Sequence, residues 1–301
     1  MCWIASEALI EMNRGRMNGF LDWREIELQN DWGVREKSDA MGQRWDDGAA
    51  MWDERWKRDE EFTKRQASAL TFDPDDTVLD IGCGTGPLTV HVAPRVKRMV
   101  AFDFGEHMLE RLRANCAERG IDNVETLQGN WYDMEPGTGL PICDVAITRW
   151  SPAQGDILKF SRCARRWCWS VSSVESKFAE GGAQPAGMYW CRSTVDESLN
   201  MTPRPCARKY GLNVHFNLLY DHGANPTVSY LVDEKRTEAA TREELLEEVL
   251  GKPPADLPDG AREGALAMIG RDISQTDDGL WVHHRKHTIA IMGWDPNEIV
   301  Y

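Results

Sequence analysis

No run of apolar residues in this chain approaches the ~18 needed for a membrane-crossing helix, so no bilayer span is expected. The opening MCWIASEALIEMNRGRMNGF carries charge too early, and too little apolar length, to read as a signal peptide. The eight cysteines (Cys2, Cys83, Cys116, Cys143, Cys163, Cys168, Cys191 and Cys206) include no CxxC pair. That argues against both a structural zinc site and a secreted disulfide framework, and the expectation is reduced thiols in the cytoplasm with no metal. Positive charge is also short, with 35 Lys and Arg against 49 Asp and Glu, a net charge of -14. Such a chain repels a phosphate backbone on average, so DNA binding is not expected and a broad anionic-membrane or RNA surface is disfavoured. There is no GxxxxGK[ST] phosphate loop, no internal repeat and no low-complexity tract.

What the chain does have is length for a sizeable core, 301 residues, and 13 tryptophans, six of them before residue 60. Residues 1–70 are polar and Trp-rich and read as an N-terminal helical cap or lid; 71–301 read as one α/β domain. Residues 43–70 contain no proline, and Trp45, Trp52 and Trp56, spaced by seven and four, fall on one face of a helix. That face either packs on the domain or closes over a ligand. From residue 77 the texture becomes strand–helix alternation. Strands are expected at 77–81, 98–104, 123–128, 142–148, 166–172, 227–233 and 287–294. Helices are expected at 87–96, 106–119, 156–164, within 203–223, at 241–251 and at 261–269. This alternation implies a doubly wound, mostly parallel sheet. His283-His284-Arg285-Lys286-His287 reads as a solvated basic turn, and Arg162, Arg165 and Arg166 as a helix C-terminus complementing its dipole.

The sharpest local signal is Val78-Leu79-Asp80-Ile81-Gly82-Cys83-Gly84-Thr85-Gly86-Pro87-Leu88-Thr89, where a strand turns directly into a helix. Glycines at 82, 84 and 86 let the backbone bend tightly and let a ligand approach with no Cβ in the way. A dinucleotide fingerprint would need its third glycine at 87, which is Pro87, and Asp80 is awkward beside a pyrophosphate. Asp103, 21 residues after Gly82, stands where a carboxylate accepts both hydroxyls of a ribose. The ligand implied carries a ribose and an amino-acid-like cation, and no phosphates.

VLDIGCGTGPLT, FDFGEHML and QGNWYDM, in this order and spacing, resemble the class I S-adenosylmethionine-dependent methyltransferases. The resemblance covers 76–172 by motif and 200–295 by topology alone. It implies a seven-stranded sheet in the order 3-2-1-4-5-7-6 with the last strand antiparallel, S-adenosylmethionine as cofactor and S-adenosylhomocysteine as product. Carried over, Asp80 contacts the methionine portion, Gly82, Cys83, Gly84 and Gly86 line it, and Asp103 holds the ribose. Phe104 and Met108 flank the adenine. Asn130 stands where the family usually has an Asp to accept the adenine amino group, and Trp131 stacks on the ring. Arg149 ends the fourth strand as a cofactor-binding residue facing the sulfonium, and Trp150 and Ser151 follow it, facing the acceptor. Tyr189, His215 and Tyr220 lie between the fifth and sixth strands, a segment that in the family helps form the acceptor pocket, and Trp45 and Trp52 complete a candidate aromatic lid.

Methyl transfer from a sulfonium needs alignment more than acid–base chemistry, so no catalytic base is named. The fourth strand is followed by TRWSP, not the NPPY-type tetrad that the family uses for adenine amines and glutamine amides. Cys163 and Cys168 match no metal spacing, which sets aside a metalloid-methylating reading. The reading that follows is a methyltransferase for a small-molecule acceptor. A methyltransferase for a protein or structured RNA is the alternative, and a cofactor-binding module without turnover a third. The sequence leaves open the acceptor atom and the oligomeric state.

Overall fold

The structure is a computed structural model and describes residues 22–24, 27, 39–174, 211–256, 266, 269–270 and 272–301. Tyr189 and most of the helix expected at 261–269 lie outside the described residues.

β1 (Thr77–Ile81) and β2 (Arg98–Asp103) are short apolar runs covered on both faces, as strands at the centre of a parallel sheet must be. β3 (Val124–Gln128), β4 (Cys143–Arg149) and β5 (Ala164–Ser173) extend the sheet in parallel. β6 (Thr227–Ala239) and β7 (Trp281–Trp294) finish it, with β7 antiparallel to both β5 and β6. The order is β3-β2-β1-β4-β5-β7-β6, the expected one. A short strand, Ile273–Gln275, pairs with the start of β7, and Glu135–Pro136 with Gly139–Leu140 makes a separate two-residue ladder. Between β1 and β4 the chain order reverses, so a crevice opens beyond their carboxyl ends.

Helices cover both faces. α1 (Asp39–Asp47), α2 (Ala49–Lys57) and α3 (Glu60–Ser68) precede β1. α4 (Thr89–Val92) and α5 (Glu106–Glu118) follow β1 and β2, and α6 (Ile157–Ser161) follows β4. α7 (Leu212–Asp221) and α8 (Arg242–Leu250) flank β6. One core layer joins Phe102, Trp131, Phe160, Leu218 and Trp294; the other joins Phe62, Leu70, Leu88, Val171 and Ile289. Trp294 is fully buried, and its indole N–H donates to Ser161 Oγ at 2.9 Å, so the large ring enters the core with its polar atom satisfied.

Four expectations need correction. The single helix over 43–70 is three, broken at Gly48 and at Arg58–Asp59, so the tryptophans do not share one stripe. Trp56 is buried, while Trp45 and Trp52 are half-buried and stack on each other at 5.1 Å. The helix expected at 87–96 is only Thr89–Val92, continued by a 3-10 turn. Arg165 and Arg166 lie in β5, paired with Asp144 and Asp76, and only Arg162 sits at the end of α6. The basic turn at 283–287 is the middle of β7, paired with 233–237 of β6. Charge misleads there because a long antiparallel ribbon pairs its basic side chains with acidic ones. Arg285 meets Asp59 and Asp233, Lys286 meets Glu234 at 2.7 Å, and His283 is buried beside Asp272.

Candidate functional site

The glycine loop runs from β1 to α4 beyond the reversal point, and its three glycines have distinct jobs. All three adopt positive φ, at 73°, 55° and 92° for Gly82, Gly84 and Gly86, a region where a Cβ is strained. A Cβ on Gly82 would overlap the Ser151 side chain, and one on Gly86 would overlap Leu112. Those two glycines are required by packing. A Cβ on Gly84 would meet only Met108 Sδ, at 4.0 Å, so the backbone there faces open space that a ligand can enter.

Asp103, half-buried at the end of β2, holds the loop from the other side. Its Oδ2 accepts the Gly84 N–H at 2.8 Å and its Oδ1 the Gly105 N–H at 3.0 Å. Burial pushes this carboxyl up, against the pull of the Gly105 and Gly84 bonds. Asp80 is deeper and accepts the Thr89 hydroxyl at 2.7 Å. Burial pushes it up to about 7, with Asp103 adding to the rise and Thr89 and Arg149 opposing it. Cys83 is a buried thiol raised well above its usual range by burial and by the two aspartates, hence unreactive. The half-buried Asp103 carboxylate and the buried Asp80 behind it, with no ion pair to either among the described residues, form an electronegative cradle suited to a cationic, hydroxyl-bearing ligand.

The remaining expected cofactor residues divide. Phe104 lies under α1, where a Cβ on Gly42 would overlap its ring, and Met108 is buried on α5. Asn130 Oδ1 accepts the Tyr132 N–H at 3.1 Å, leaving one lone pair of that oxygen for another donor. Trp131 is packed in the core, with Lys159 Nζ 4.4 Å above its ring and donating to its carbonyl at 2.6 Å.

On the far side of the reversal point, β4 ends in Arg149, Trp150 and Ser151. Ser151 is buried, bonded to Thr148 Oγ1 at 2.7 Å and capping the turn at 152–155, so it braces Gly82. Trp150 has φ 52°, the one non-glycine residue at positive φ among the described residues. Strain of this kind persists only where surrounding contacts impose it. Those contacts are the Arg149 guanidinium, 3.8 Å from the ring centroid, and His287 of β7, stacked at 6.1 Å. His215 on α7 is buried 3.9 Å from Glu27; burial lowers it to about 4 and raises Glu27 to about 7. Tyr220 is exposed and stacks on Phe216.

Sequence reasoning missed the struts beneath the loop. Trp56 of α2 donates from its indole to Thr85 Oγ1 at 2.9 Å and to Asp53 Oδ1 at 3.2 Å. Asn115 of α5 closes the ring, donating to Asp53 at 2.7 Å and to the Thr85 carbonyl at 2.9 Å. Asp46 of α1 accepts the Met108 N–H at 3.1 Å, capping α5 from a distant part of the chain. The spacing that singled out Trp56 was the only sequence signal for these contacts.

Residues 78–154 match the family model described as "Methyltransferase domain". A probable cobalt-precorrin-6B C(15)-methyltransferase (decarboxylating) of Methanocaldococcus jannaschii is 32% identical over 89 residues, 25% of this chain and 49% of that protein. A tRNA (uracil-5-)-methyltransferase homolog A of Mus musculus is 38% identical over 66 residues, 22% of this chain and 11% of that protein. The chain therefore spans about half the length of the first relative and far less of the second. Among solved structures, the YcgJ protein of Bacillus subtilis matches with a TM-score of 0.45 and 16% identity, covering 77% of this chain and 97% of that one.

Proposed function

We propose that this chain, a class I S-adenosylmethionine-dependent methyltransferase by its 78–154 domain and its sheet order, passes a methyl group to a small-molecule acceptor. The observation that carries the reading is the pairing of open backbone at Gly84 with the Asp103 carboxylate, which fits the ribose and methionine ends of that cofactor. When bound, S-adenosylmethionine supplies an electrophilic methyl on a sulfonium, displaced in line as the carbon–sulfur pair returns to sulfur.

The chain's own residues supply position. Asp103, with two lone-pair sites left after bonding Gly84 and Gly105, receives the ribose hydroxyls. Asp80, near the cationic end, offers a carboxylate to the methionine ammonium, directly or through water. Gly82, Cys83, Gly84 and Gly86 line that stretch, Phe104 and Met108 flank the adenine side, and Asn130 accepts the adenine amino group. Trp131 supports that wall from the core. Arg149 and Trp150 face the transferred methyl across the β1/β4 reversal. Alignment of this kind is worth up to ~7–11 kcal/mol without a base. Residues 1–70 serve as a cap and 71–301 as the catalytic domain.

Net charge of -14 supports a small acceptor over RNA. Among the described residues no helix is long and apolar enough to cross a membrane, and the five described cysteines are free and buried. The test is thermal melting of the full chain with S-adenosylmethionine and with S-adenosylhomocysteine. At 100 times its dissociation constant a ligand adds ~2.7 kcal/mol, readable as a rise in Tm. An unchanged Tm with both ligands would overturn the reading.

A further inference from the structure

Arg149 is a cation beside the reversal point that feels the Asp80 and Asp59 carboxylates only at a distance, with neither in ion-pair contact. Its Nε donates to Gln66 Oε1 at 2.8 Å, its plane lies 3.8 Å from the Trp150 ring centroid, and among the described residues it forms no ion pair. Its two terminal nitrogens make no hydrogen bond to a described residue. Gln66 is fully buried on α3, and its Nε2 is a second donor with no partner among the described residues. A buried amide left unsatisfied costs free energy that a ligand acceptor would recover. Arg55, exposed on α2 with its guanidinium 5.2 Å from the Trp52 ring, is a further cation with no ion pair among the described residues. Burial lowers Arg149 to about 9, against the pull of Asp80 and Asp59, and Arg55 adds to the fall.

The wall around these donors is aromatic. His287 stacks on Trp150 at 6.1 Å, and Phe62 of α3 lies 5.9 Å from His287. All of these groups sit on β4, β7, α2 and α3. Asp103 and Asn130 sit at the ends of β2 and β3, on the other side of β1. A cofactor lying along Asp80, Gly84 and Asp103 leaves the Arg149 side for the molecule that receives the methyl.

Resting on that placement of the cofactor, we propose that Arg149 and Gln66 form a carboxylate subsite and that the acceptor is a small aromatic carboxylic acid. The guanidinium fork takes the carboxylate, the Gln66 amide completes it, and Trp150, His287 and Phe62 cover the ring.

The test uses the full chain saturated with S-adenosylhomocysteine and titrated with 4-hydroxybenzoate and with its neutral isostere 4-hydroxybenzamide. The acid is expected to bind at least about tenfold more tightly, the scale of one charge-assisted bidentate pair. Arg149→Gln should erase that preference, lowering affinity for the acid far more than for S-adenosylhomocysteine, and leave Tm unchanged or raised, because it removes a charge that burial disfavours. A purely structural arginine would instead lower Tm. Gln66→Leu should weaken the acid selectively, and Arg149→Lys, which keeps the charge without the fork, should keep part of the preference if the glutamine variant misfolds. Equal binding of acid and amide, or binding of neither, overturns the proposal. So does an Arg149→Gln variant that loses S-adenosylhomocysteine but still binds 5′-methylthioadenosine, since the guanidinium would then hold the cofactor's own carboxylate. Failure of the wild-type chain to bind S-adenosylhomocysteine at all is a separate result, and it falls on the cofactor assignment.

Discussion

Asp103 and Gly84 are bound to each other, yet the structure separates what each contributes. Asp103→Ala removes the acceptor for two backbone N–H groups as well as for a ribose. Its S-adenosylhomocysteine affinity should fall at least about tenfold by calorimetry, the scale of a lost hydrogen bond to a charged group. A variant that binds normally would place the ribose elsewhere. Gly84→Ala is the sharper probe. Its Cβ has room, meeting only Met108 Sδ at 4.0 Å, so the stability cost is that of an alanine held at φ 55°, about 1 kcal/mol. Because that Cβ enters the space offered to the ligand, affinity should fall far more than stability. Gly86→Ala should show the reverse balance, a loss of stability first, because its Cβ overlaps Leu112 in the core. Equal affinity losses at 84 and 86 would mean the open space beside Gly84 is not the cofactor's. These assignments were legible in the sequence because the glycine run, Asp80 and Asp103 lie within 24 residues on one strand–loop–helix–strand unit, where local spacing sets geometry.

At the scale of elements, α1 and α2 are coupled to the loop by groups with no sequence neighbour in it. The Trp56 indole joins Thr85 to Asp53, and Asn115 joins the same two residues from α5. Burial raises the Asp53 carboxyl, but bonds from Lys57 and Asn115 outweigh it and hold it below its usual range. Trp56→Phe keeps the ring and strands the polar partners, a change worth about 1–3 kcal/mol where groups are left unsatisfied. Chemical denaturation should show that loss. S-adenosylhomocysteine affinity should fall with it if α2 braces the loop, whereas full affinity in a destabilised variant would mean that α2 only covers it. The central strands could be read from their apolar runs, since a strand buried on both faces needs no partner to reveal it. The division of 43–70 into three helices could not, because a lone glycine and the Arg58–Asp59 step break a helix only when packing rewards the bend. Likewise β7 hid behind His283 to His287, because Arg285 is answered by Asp233 of β6 and by Asp59, while His284 and Lys286 point to solvent.

For the molecule as a whole, three buried ionisable groups with large shifts weigh on how stability responds to pH. Burial raises Asp80 and Glu27 to about 7, well above their unfolded values. The folded chain therefore holds protons that the unfolded chain has released, and each group's stabilising share is full below its unfolded pKa and lost as pH rises through about 7. His215 works the other way. Burial lowers it to about 4, so the folded chain gains stability as pH rises toward 6.5, and that gain is nearly complete there. Between pH 6 and pH 8 each carboxyl removes about 1 kcal/mol and the histidine returns less than that, so the sum is a loss. The net charge of -14 adds self-repulsion in the same direction as acidic groups ionise. Urea denaturation should therefore show the chain less stable at pH 8 than at pH 6, opposite to the usual carboxylate-paired protein. Asp80→Asn with Glu27→Gln should flatten that slope. A cationic ligand at Asp80 should flatten part of it too, since it lowers the Asp80 pKa and binds with release of a proton. S-adenosylmethionine affinity should then rise with pH through about 7 in the wild type and not in Asp80→Asn. If calorimetry in buffers of different ionisation enthalpy finds no proton released on binding, Asp80 does not face the cofactor's positive end.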